Sequence, residues 1–157
     1  MTSYINHSIF NVVILSLLFV FNQEYNIIDI NGSLVFFIFF MIGTFIVNPD
    51  MDTKSKSSNI LGIFSVPYRR FFRHRGMSHH WMYGIITRII YFTILMIILG
   101  SIILFVLKGE QIFNNNNIYY VYDIIIQYLS DNKNNVIIAY NGLFISNLLH
   151  IVLDKIT

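Results

Sequence analysis

Long runs of apolar residues, rather than alternating polar and apolar positions, dominate the chain. The longest run, Tyr83 to Leu107, is interrupted by a single charge, Arg88. At about 1.5 Å per residue, a helix of this length exceeds the roughly 30 Å hydrocarbon core of a bilayer. A second run, Val136 to Leu153, contains polar residues that favour a helix facing protein more than lipid. The pattern therefore predicts two transmembrane helices.

Two shorter apolar runs come earlier, at Ile9 to Phe21 and Leu34 to Val47. Both are interpreted as membrane spans, although a run as short as the second is also compatible with a re-entrant or interfacial segment. Ile118 to Leu129, between two asparagine-rich stretches, predicts a short amphipathic or interfacial helix. We expect an all-α fold: a compact polytopic membrane helical bundle with about four transmembrane helices and a short interfacial helix. It would form a single membrane-embedded domain over residues 1–157.

Composition and charge support a membrane protein and predict its orientation. Hydrophobic residues make up 55% of the chain and charged residues 11%, against about 25% charged in ordinary soluble domains. Outside the apolar runs, most basic residues fall on one predicted side of the membrane: Lys54, Lys56, Arg69, Arg70, Arg73, Arg75 and Lys155. The other side has Lys108 and Lys133. The positive-inside rule then places both termini and the loop over residues 50–80 in the cytoplasm, in a protein of the cell (inner) membrane.

Potential metal ligands occur at the helix ends on this same predicted face. They are His7, Asp50, Asp52, His74, His79, His150 and Asp154. Because the chain has no cysteine, a transition-metal site must use imidazole and carboxylate. We expect these side chains to converge on one divalent ion, with zinc, manganese and iron as the candidates, in what would be a metal-binding domain.

The strength of this prediction differs between its three elements. Pro49 should end the second span and leave Asp50 and Asp52 in a short non-helical turn, although taken alone the pair is better explained as a solvated turn after a helix. His74 and His79 flank Gly76 directly before a predicted transmembrane helix. A juxtamembrane basic patch is the alternative there, and it explains the neighbouring arginines better than the histidines.

The remaining candidates depend on helical spacing. His150 and Asp154 are four residues apart and therefore share one helical face, where the pair could bind a metal or form a helix-end hydrogen bond. His7 is the weakest ligand candidate, because an interfacial histidine is an equal alternative. Arg88 could snorkel to the cytoplasmic surface or reach the site, and snorkelling is the favoured interpretation.

Three segments, NPDMD, GIFSVPYRRFFRHRGMSHH and GIITRIIY, resemble an uncharacterised bacterial and archaeal family of membrane proteins described as metal-binding. More distantly, the chain is similar to the membrane-bound metal-dependent hydrolase family that includes an SOS-regulated inner-membrane protein. The resemblance implies a metal-site role for Asp50, Asp52, His74, Arg75, Gly76, Ser78 and His79, with His7, His150 and Asp154 matching its outer helices. Asn48 and His80 stand where serines are common, so His80 is either an extra ligand or a bystander.

These residues favour metal-dependent hydrolysis of a phosphoester at the cytoplasmic interface. A bound divalent ion lowers the pKa of its water to about 7. Arg73 and Arg75 would suit phosphate oxygens, and Asp50 or Asp154 is the candidate general base. The bilayer is the expected partner, a phospholipid or prenyl phosphate is the candidate substrate, and no nucleic acid is expected.

Two other classes of protein were considered: a non-catalytic metal protein, which is the main alternative, and a transporter, which fits less well. The first alternative is a non-catalytic membrane protein whose metal is structural or sensory, since four short helices leave little room for a substrate cleft. A transporter is disfavoured, because ionisable residues are nearly absent from the middle of the predicted spans. Oligomeric state does not follow from the pattern.

Overall fold

The computed structural model describes residues 4–71, 80, 82–108, 123 and 126–156. Within those ranges every regular element is helical. The α-helices are α1 (Tyr4–Tyr25), α2 (Ile30–Phe45), α3 (Lys56–Leu61), α4 (Ser65–Phe71), α5 (Tyr83–Lys108) and α6 (Lys133–Ile156), with 3-10 turns at Pro49–Asp52 and Gly62–Phe64. The all-α prediction is confirmed for the part of the chain that the structure describes.

Each of the four predicted apolar runs lies largely within one helix. Three of these helices, α1, α5 and α6, are long and apolar enough to cross a membrane, whereas α2 is a shorter apolar helix of 16 residues. A helix of that length rises about 24 Å, which is less than the usual hydrocarbon thickness. Of the predicted interfacial helix, residues 126–129 are helical and precede α6, while most of the rest lies outside the described residues.

The most extensive packing joins α2 to α6, and it depends on glycines at the contact. A Cβ added at Gly142 of α6 would lie 2.8 Å from the carbonyl oxygen of Phe36 and 3.0 Å from the amide nitrogen of Phe40. A Cβ at Gly43 of α2 would overlap the Ser146 hydroxyl. Close backbone approach through small residues is typical of helix pairs in membranes. The two helices therefore form the closely packed pair against which the others pack.

Helix α5 contacts the pair through α6 and contacts the segment that follows α2 through tyrosines. The Tyr91 hydroxyl donates to the carbonyl of Phe64, and the rings of Tyr68 and Tyr91 lie 5.3 Å apart. At its N-terminus, His80 Nδ1 accepts from the backbone amides of Met82 and Tyr83 at 3.3 and 3.4 Å. This imidazole thus satisfies amides that the first turn of a helix leaves without partners.

One end of the assembly gathers the start of α1, the end of α2, the start of α5 and the end of α6. His7 of α1 contacts Asp154 of α6, and Arg88 of α5 hydrogen-bonds to Asn147 of α6. Consecutive long helices therefore run in opposite directions, which brings both ends of the described chain to the same side. Side chains widely separated in sequence meet there.

Candidate metal centre

The turn after α2 holds Asp50 in a fixed backbone position. Pro49 occupies the first position of the 3-10 turn, where its missing N–H costs nothing. The carbonyl oxygen of Asp50 accepts hydrogen bonds from the hydroxyls of Thr53, at 3.0 Å, and Ser55, at 2.7 Å. Ser55 also forms a capping box with Ser58 at the start of α3. A local network thus holds the backbone of Asp50, and its carboxylate reaches α6 at His150.

A single buried amide joins three helices one turn away from His7. Asn11 Nδ2 donates to Thr44 Oγ1 of α2 at 3.1 Å and to the carbonyl oxygen of Ser146 in α6 at 3.0 Å. Residues four apart share a helical face, so this contact also directs His7 toward α2 and α6. The N-terminal histidine is therefore positioned by helix packing, although it lies far along the chain from the other residues of the centre.

His7 and His150 stack at the middle of the centre. Their ring centroids lie 4.0 Å apart with the planes only 6° from parallel. The two residues are 3% and 1% exposed. His7 Nε2 lies 3.2 Å from Asp154 Oδ1, and His150 Nε2 lies 3.8 Å from the other oxygen of the same carboxylate. Asp50, in the 3-10 turn after α2, places its Oδ2 3.5 Å from His150 Nε2.

These distances fit a shared cation better than direct hydrogen bonds. An N–H···O hydrogen bond is about 2.9 Å long, and two of the three imidazole–carboxylate separations are clearly longer. Two ligand atoms bound tetrahedrally to one zinc ion at roughly 2.0–2.1 Å would lie about 3.4 Å apart, close to all three values. Within the described residues, ligand atoms of His7, His150 and Asp154 lie within 4.8 Å of one another. The donor set therefore fits a divalent metal.

Arg88 lies beside this centre, fully buried in the first turns of α5. Its Nε donates to Asn147 Oδ1 at 2.8 Å, and Asn147 lies one turn before His150 on α6. Asp50 and Asp52 are both close enough for their negative charges to act on the guanidinium. The snorkelling interpretation of Arg88 is therefore wrong. A buried guanidinium in an apolar helix is stabilised here by a hydrogen bond and two neighbouring carboxylates.

Tyr68 of α4 adds a neutral hydroxyl on the Arg88 side. Burial raises the pKa of the Tyr68 phenol above its ordinary value, while the positive charge of Arg88 acts in the opposite direction. The negative charge of Asp52 reinforces the rise. The phenol consequently stays protonated at neutral pH and contributes a hydrogen-bonding group without adding charge.

The structure separates the two aspartates that the sequence grouped together. Asp50 approaches His150, whereas Asp52 is buried where its charge acts on both Arg88 and Tyr68. Successive residues of a 3-10 turn are rotated by about 120°, so the side chains at positions i and i+2 leave the turn in different directions. The ligand role of Asp52 stays a prediction, and its position favours charge balance with Arg88.

The structure brings together four of the seven predicted ligands, namely His7, Asp50, His150 and Asp154. His74 and His79, and Arg75 with them, lie outside the described residues, so their roles stay predictions. His80 is exposed, and its imidazole caps the N-terminus of α5. Its role as an extra metal ligand stays a prediction.

Sequence reasoning gave too little weight to the amides that support the centre. Asn11 follows His7 by four residues, and Asn147 precedes His150 by three, so both spacings were visible. Their hydrogen-bond partners could not be read from the sequence, because Asn11 and Ser146 are 135 positions apart and Asn147 and Arg88 are 59 apart. Polar residues one turn from each candidate ligand were the available signal.

Comparison with known proteins supports metal binding by this chain. No curated protein and no solved structure shows a significant match to the chain. A family model described as "Uncharacterized metal-binding protein (DUF2227)" matches residues 3–157, nearly the whole sequence. The chain, with its histidine and aspartate side chains gathered at one end, therefore belongs to this uncharacterised family of metal-binding proteins.

Proposed function

We propose that the protein is a membrane-embedded, metal-dependent hydrolase that acts on a phosphoester at the cytoplasmic interface. The observation that carries this proposal is the buried stack of His7 on His150, with both Nε2 atoms near the Asp154 carboxylate. Two imidazoles and a carboxylate form the three-protein-ligand set typical of catalytic zinc sites. The metal would supply electrophilic activation of a phosphoryl oxygen and an acidified water.

The surface of the long helices supports the membrane embedding in this proposal. Large apolar side chains such as Leu17, Val20, Ile97 and Ile103 are more than half exposed on α1 and α5. Soluble proteins rarely leave contiguous apolar surface on this scale in water. With α1, α5 and α6 spanning the bilayer, the positive-inside bias of the sequence would place the metal centre at the cytoplasmic side.

The protein groups have distinct tasks in hydrolysis. A phosphoester is cleaved when a water oxygen attacks phosphorus and the P–O bond to the alcohol breaks, and the proton removed from the attacking water is passed to the departing oxygen. Asp50 is the candidate to accept the proton of the attacking water, since its carboxylate reaches His150 and stays partly exposed. Arg88 carries positive charge toward the same side of α6, where phosphate charge develops.

The test begins with metal content and ends with chemistry. Purified protein in detergent should retain near-stoichiometric divalent metal by elemental analysis, and phosphomonoesters and phosphodiesters should be hydrolysed at a rate proportional to that content. Asp50→Asn should keep the metal, because His7, His150 and Asp154 would still hold it, and should lose hydrolysis, because an amide cannot accept the water proton. If wild-type protein purified with care holds no divalent metal, the proposal is wrong.

A second function, a structural or sensory metal site, is favoured by the near-complete burial of His7 and His150. A metal there would join α1 to α6 and lock the helix ends together. A structural site is fully ligated by protein, whereas a catalytic site keeps one position for water. Metal removal that lowers the unfolding temperature, in a protein with full metal content and no hydrolase activity, would support this alternative.

A further inference from the structure

Two asparagines of α1 donate through their side-chain amides to other parts of the structure, but they differ in what their oxygens do. Asn22 donates through Nδ2 to the carbonyl oxygen of Ile28 and to Ser33 Oγ, and its Oδ1 accepts from the amide of Ile28 at 2.8 Å. Asn11 also donates through Nδ2 to two acceptors. Its Oδ1, although fully buried, has no hydrogen-bond partner among the described residues. A buried acceptor of this kind is costly and calls for an explanation.

The partners of Asn11 fix the orientation of its amide. The carbonyl oxygen of Ser146 can only accept, so the group that faces it must be the NH2. Both Nδ2 hydrogens are then used, one by Ser146 and one by Thr44 Oγ1. Turning the amide over would place two carbonyl oxygens against each other. Oδ1 is therefore the one group of this side chain that is left to act as an acceptor.

A buried ring nitrogen of His7 lies one helical turn before Asn11. His7 Nδ1 has no hydrogen-bond partner in the part of the chain that the structure describes, and the residue is 3% exposed. The other ring nitrogen, Nε2, is the one that faces Asp154, at 3.2 Å. Side chains of an α-helix lean toward its N-terminus, and Cβ atoms four residues apart are about 5–6 Å apart. Asn11 therefore leans over the turn that carries His7, within reach of one hydrogen bond or a single bridging water.

The chemistry of a metal ligand decides which ring nitrogen of His7 carries the proton. An imidazole that binds a divalent ion through Nε2 is neutral and has its proton on Nδ1. Such ligands almost always donate that second N–H to an acceptor, which sets the orientation of the ring. His7 Nδ1–H as donor and Asn11 Oδ1 as acceptor are therefore a complementary pair of buried groups on one face of α1.

We propose that Asn11 is a positioning residue of the candidate metal centre: its Oδ1 accepts from His7 Nδ1–H and so orients Nε2 toward a bound divalent ion. The inference rests on the proposed function only in taking His7 as a metal ligand. This role differs from helix packing, because the packing contacts of Asn11 use Nδ2 and the contact with the imidazole uses Oδ1. Variants that separate the two atoms therefore test it.

Zinc affinity, measured in detergent by competition with a chromogenic chelator, gives the first test. Asn11→Leu keeps the branched shape at Cγ and removes the acceptor, so zinc affinity should fall by about 10- to 100-fold, the usual effect of losing a residue that supports a ligand. Asn11→Asp keeps an acceptor oxygen but can no longer donate to Thr44 and Ser146. It should unfold at a lower temperature than the wild type and yet bind zinc as tightly. Equal loss of affinity in the two variants would overturn the proposal.

Thr44→Val is the matched control for packing. Valine keeps the shape of threonine and removes the Oγ1 acceptor of Asn11, while the bond from Asn11 to Ser146 and the free Oδ1 are retained. We expect a lower unfolding temperature and wild-type zinc affinity. A loss of affinity as large as that of Asn11→Leu would show that the amide acts through helix packing alone, and would contradict the proposal.

The imidazole proton gives a readout that packing alone would not move. In zinc-loaded protein labelled with 15N in its histidines, His7 Nδ1–H should give a slowly exchanging NMR signal, assigned by its absence in His7→Gln. The signal should persist in Thr44→Val and Asn11→Asp, and it should be lost to exchange with water in Asn11→Leu. An unchanged signal in Asn11→Leu would identify another acceptor and overturn the assignment.

None of these measurements requires a substrate, so they are independent of hydrolysis. The expected pattern of zinc affinities, in a protein that hydrolyses no phosphoester, would sustain the role of Asn11 and refute the hydrolase. Zinc-dependent hydrolysis by the wild type, together with equal zinc affinity in Asn11→Leu and the wild type, would sustain the hydrolase and refute the role of Asn11.

Discussion

The α2–α6 pair carries polar side chains at both ends, and the two ends hold them differently. At one end, His7, His150 and Asp154 come from two helices and meet in a buried cluster. At the other end, Asp29 and Asp131 line an open cavity of about 840 Å³ together with a lysine and several asparagines, and both aspartates are exposed to solvent. Similar residue types are thus present in two different physical environments.

The difference shows what converts helix-end carboxylates into a candidate metal centre. Asp29 uses its side chain locally, accepting from the amide of Gly32 at 2.9 Å as the N-cap of α2. Asp154 instead contacts an imidazole from another helix, and burial strengthens every electrostatic interaction there because water is excluded. Imidazoles from separate helices and a covering partner helix, rather than acidic charge alone, distinguish the end that holds the candidate metal centre.

The largest effect should come from removing a histidine of the stack. His150→Ala deletes a candidate ligand atom that faces two carboxylates and removes the stacking partner of His7. We expect more than about a hundredfold loss of metal affinity, since loss of a supporting residue alone typically costs 10- to 100-fold. Elemental analysis after equilibration with a metal buffer measures this. Asp131→Ala, at the other end, is the control and should bind metal like the wild type.

The sequence predicted features that depend on local patterns, but not contacts between residues far apart in the chain. The apolar runs predicted the positions of the helices. Because successive spans alternate in direction, the sequence also predicted that His7, Asp50, His150 and Asp154 lie at the same end of the bundle. The stack of His7 on His150 joins positions 143 residues apart, and no local pattern encodes it. The separation of Asp50 from Asp52 required knowing that their turn is 3-10, which the sequence did not specify.

Arg88 was misjudged for a related physical reason. A single arginine near the end of an apolar run is compatible with snorkelling as long as no buried partner is known. Its partners, Asn147 and the carboxylates after α2, come from other helices and become neighbours only when α5 docks beside α6. Tertiary contacts, not the residue's own sequence context, decide whether the charge is buried.

Removing the Arg88 charge should produce the next largest effect, on stability rather than directly on binding. Arg88→Met keeps the apolar stem but leaves Asp52 buried without its cationic neighbour, so we expect about 3–5 kcal/mol lower free energy of unfolding. Denaturant titration in detergent measures the loss. Adding Asp52→Asn should recover part of the stability. Arg70→Met, at an exposed site in α4, should change it little, and equal losses at the two arginines would contradict the assignment.

A smaller loss of stability is expected from substitutions where α2 and α6 approach most closely, between the two ends of the pair. Gly142→Ala would place a methyl group 2.8 Å from the carbonyl oxygen of Phe36, so the helices must move apart at a cost of about 1–3 kcal/mol. Gly100→Ala meets no atom within 4 Å and should be neutral or slightly stabilising through helix propensity. Thermal unfolding of both variants in one detergent compares them. A destabilised Gly100→Ala would mean that α5 packs differently.

The smallest effect should be found at the open, asparagine-rich end. Asp29→Ala removes the N-cap of α2 and should lower the free energy of unfolding by about 1 kcal/mol, because one amide at the helix start loses its acceptor. Asp29→Asn, which preserves a capping oxygen, should behave nearly like the wild type. Metal content should be unchanged in both variants, since this carboxylate lies at the opposite end of α2 from the histidines. Loss of metal in Asp29→Ala, with the fold intact by circular dichroism, would show that the two ends of the α2–α6 pair are coupled and that local burial alone does not define the metal centre.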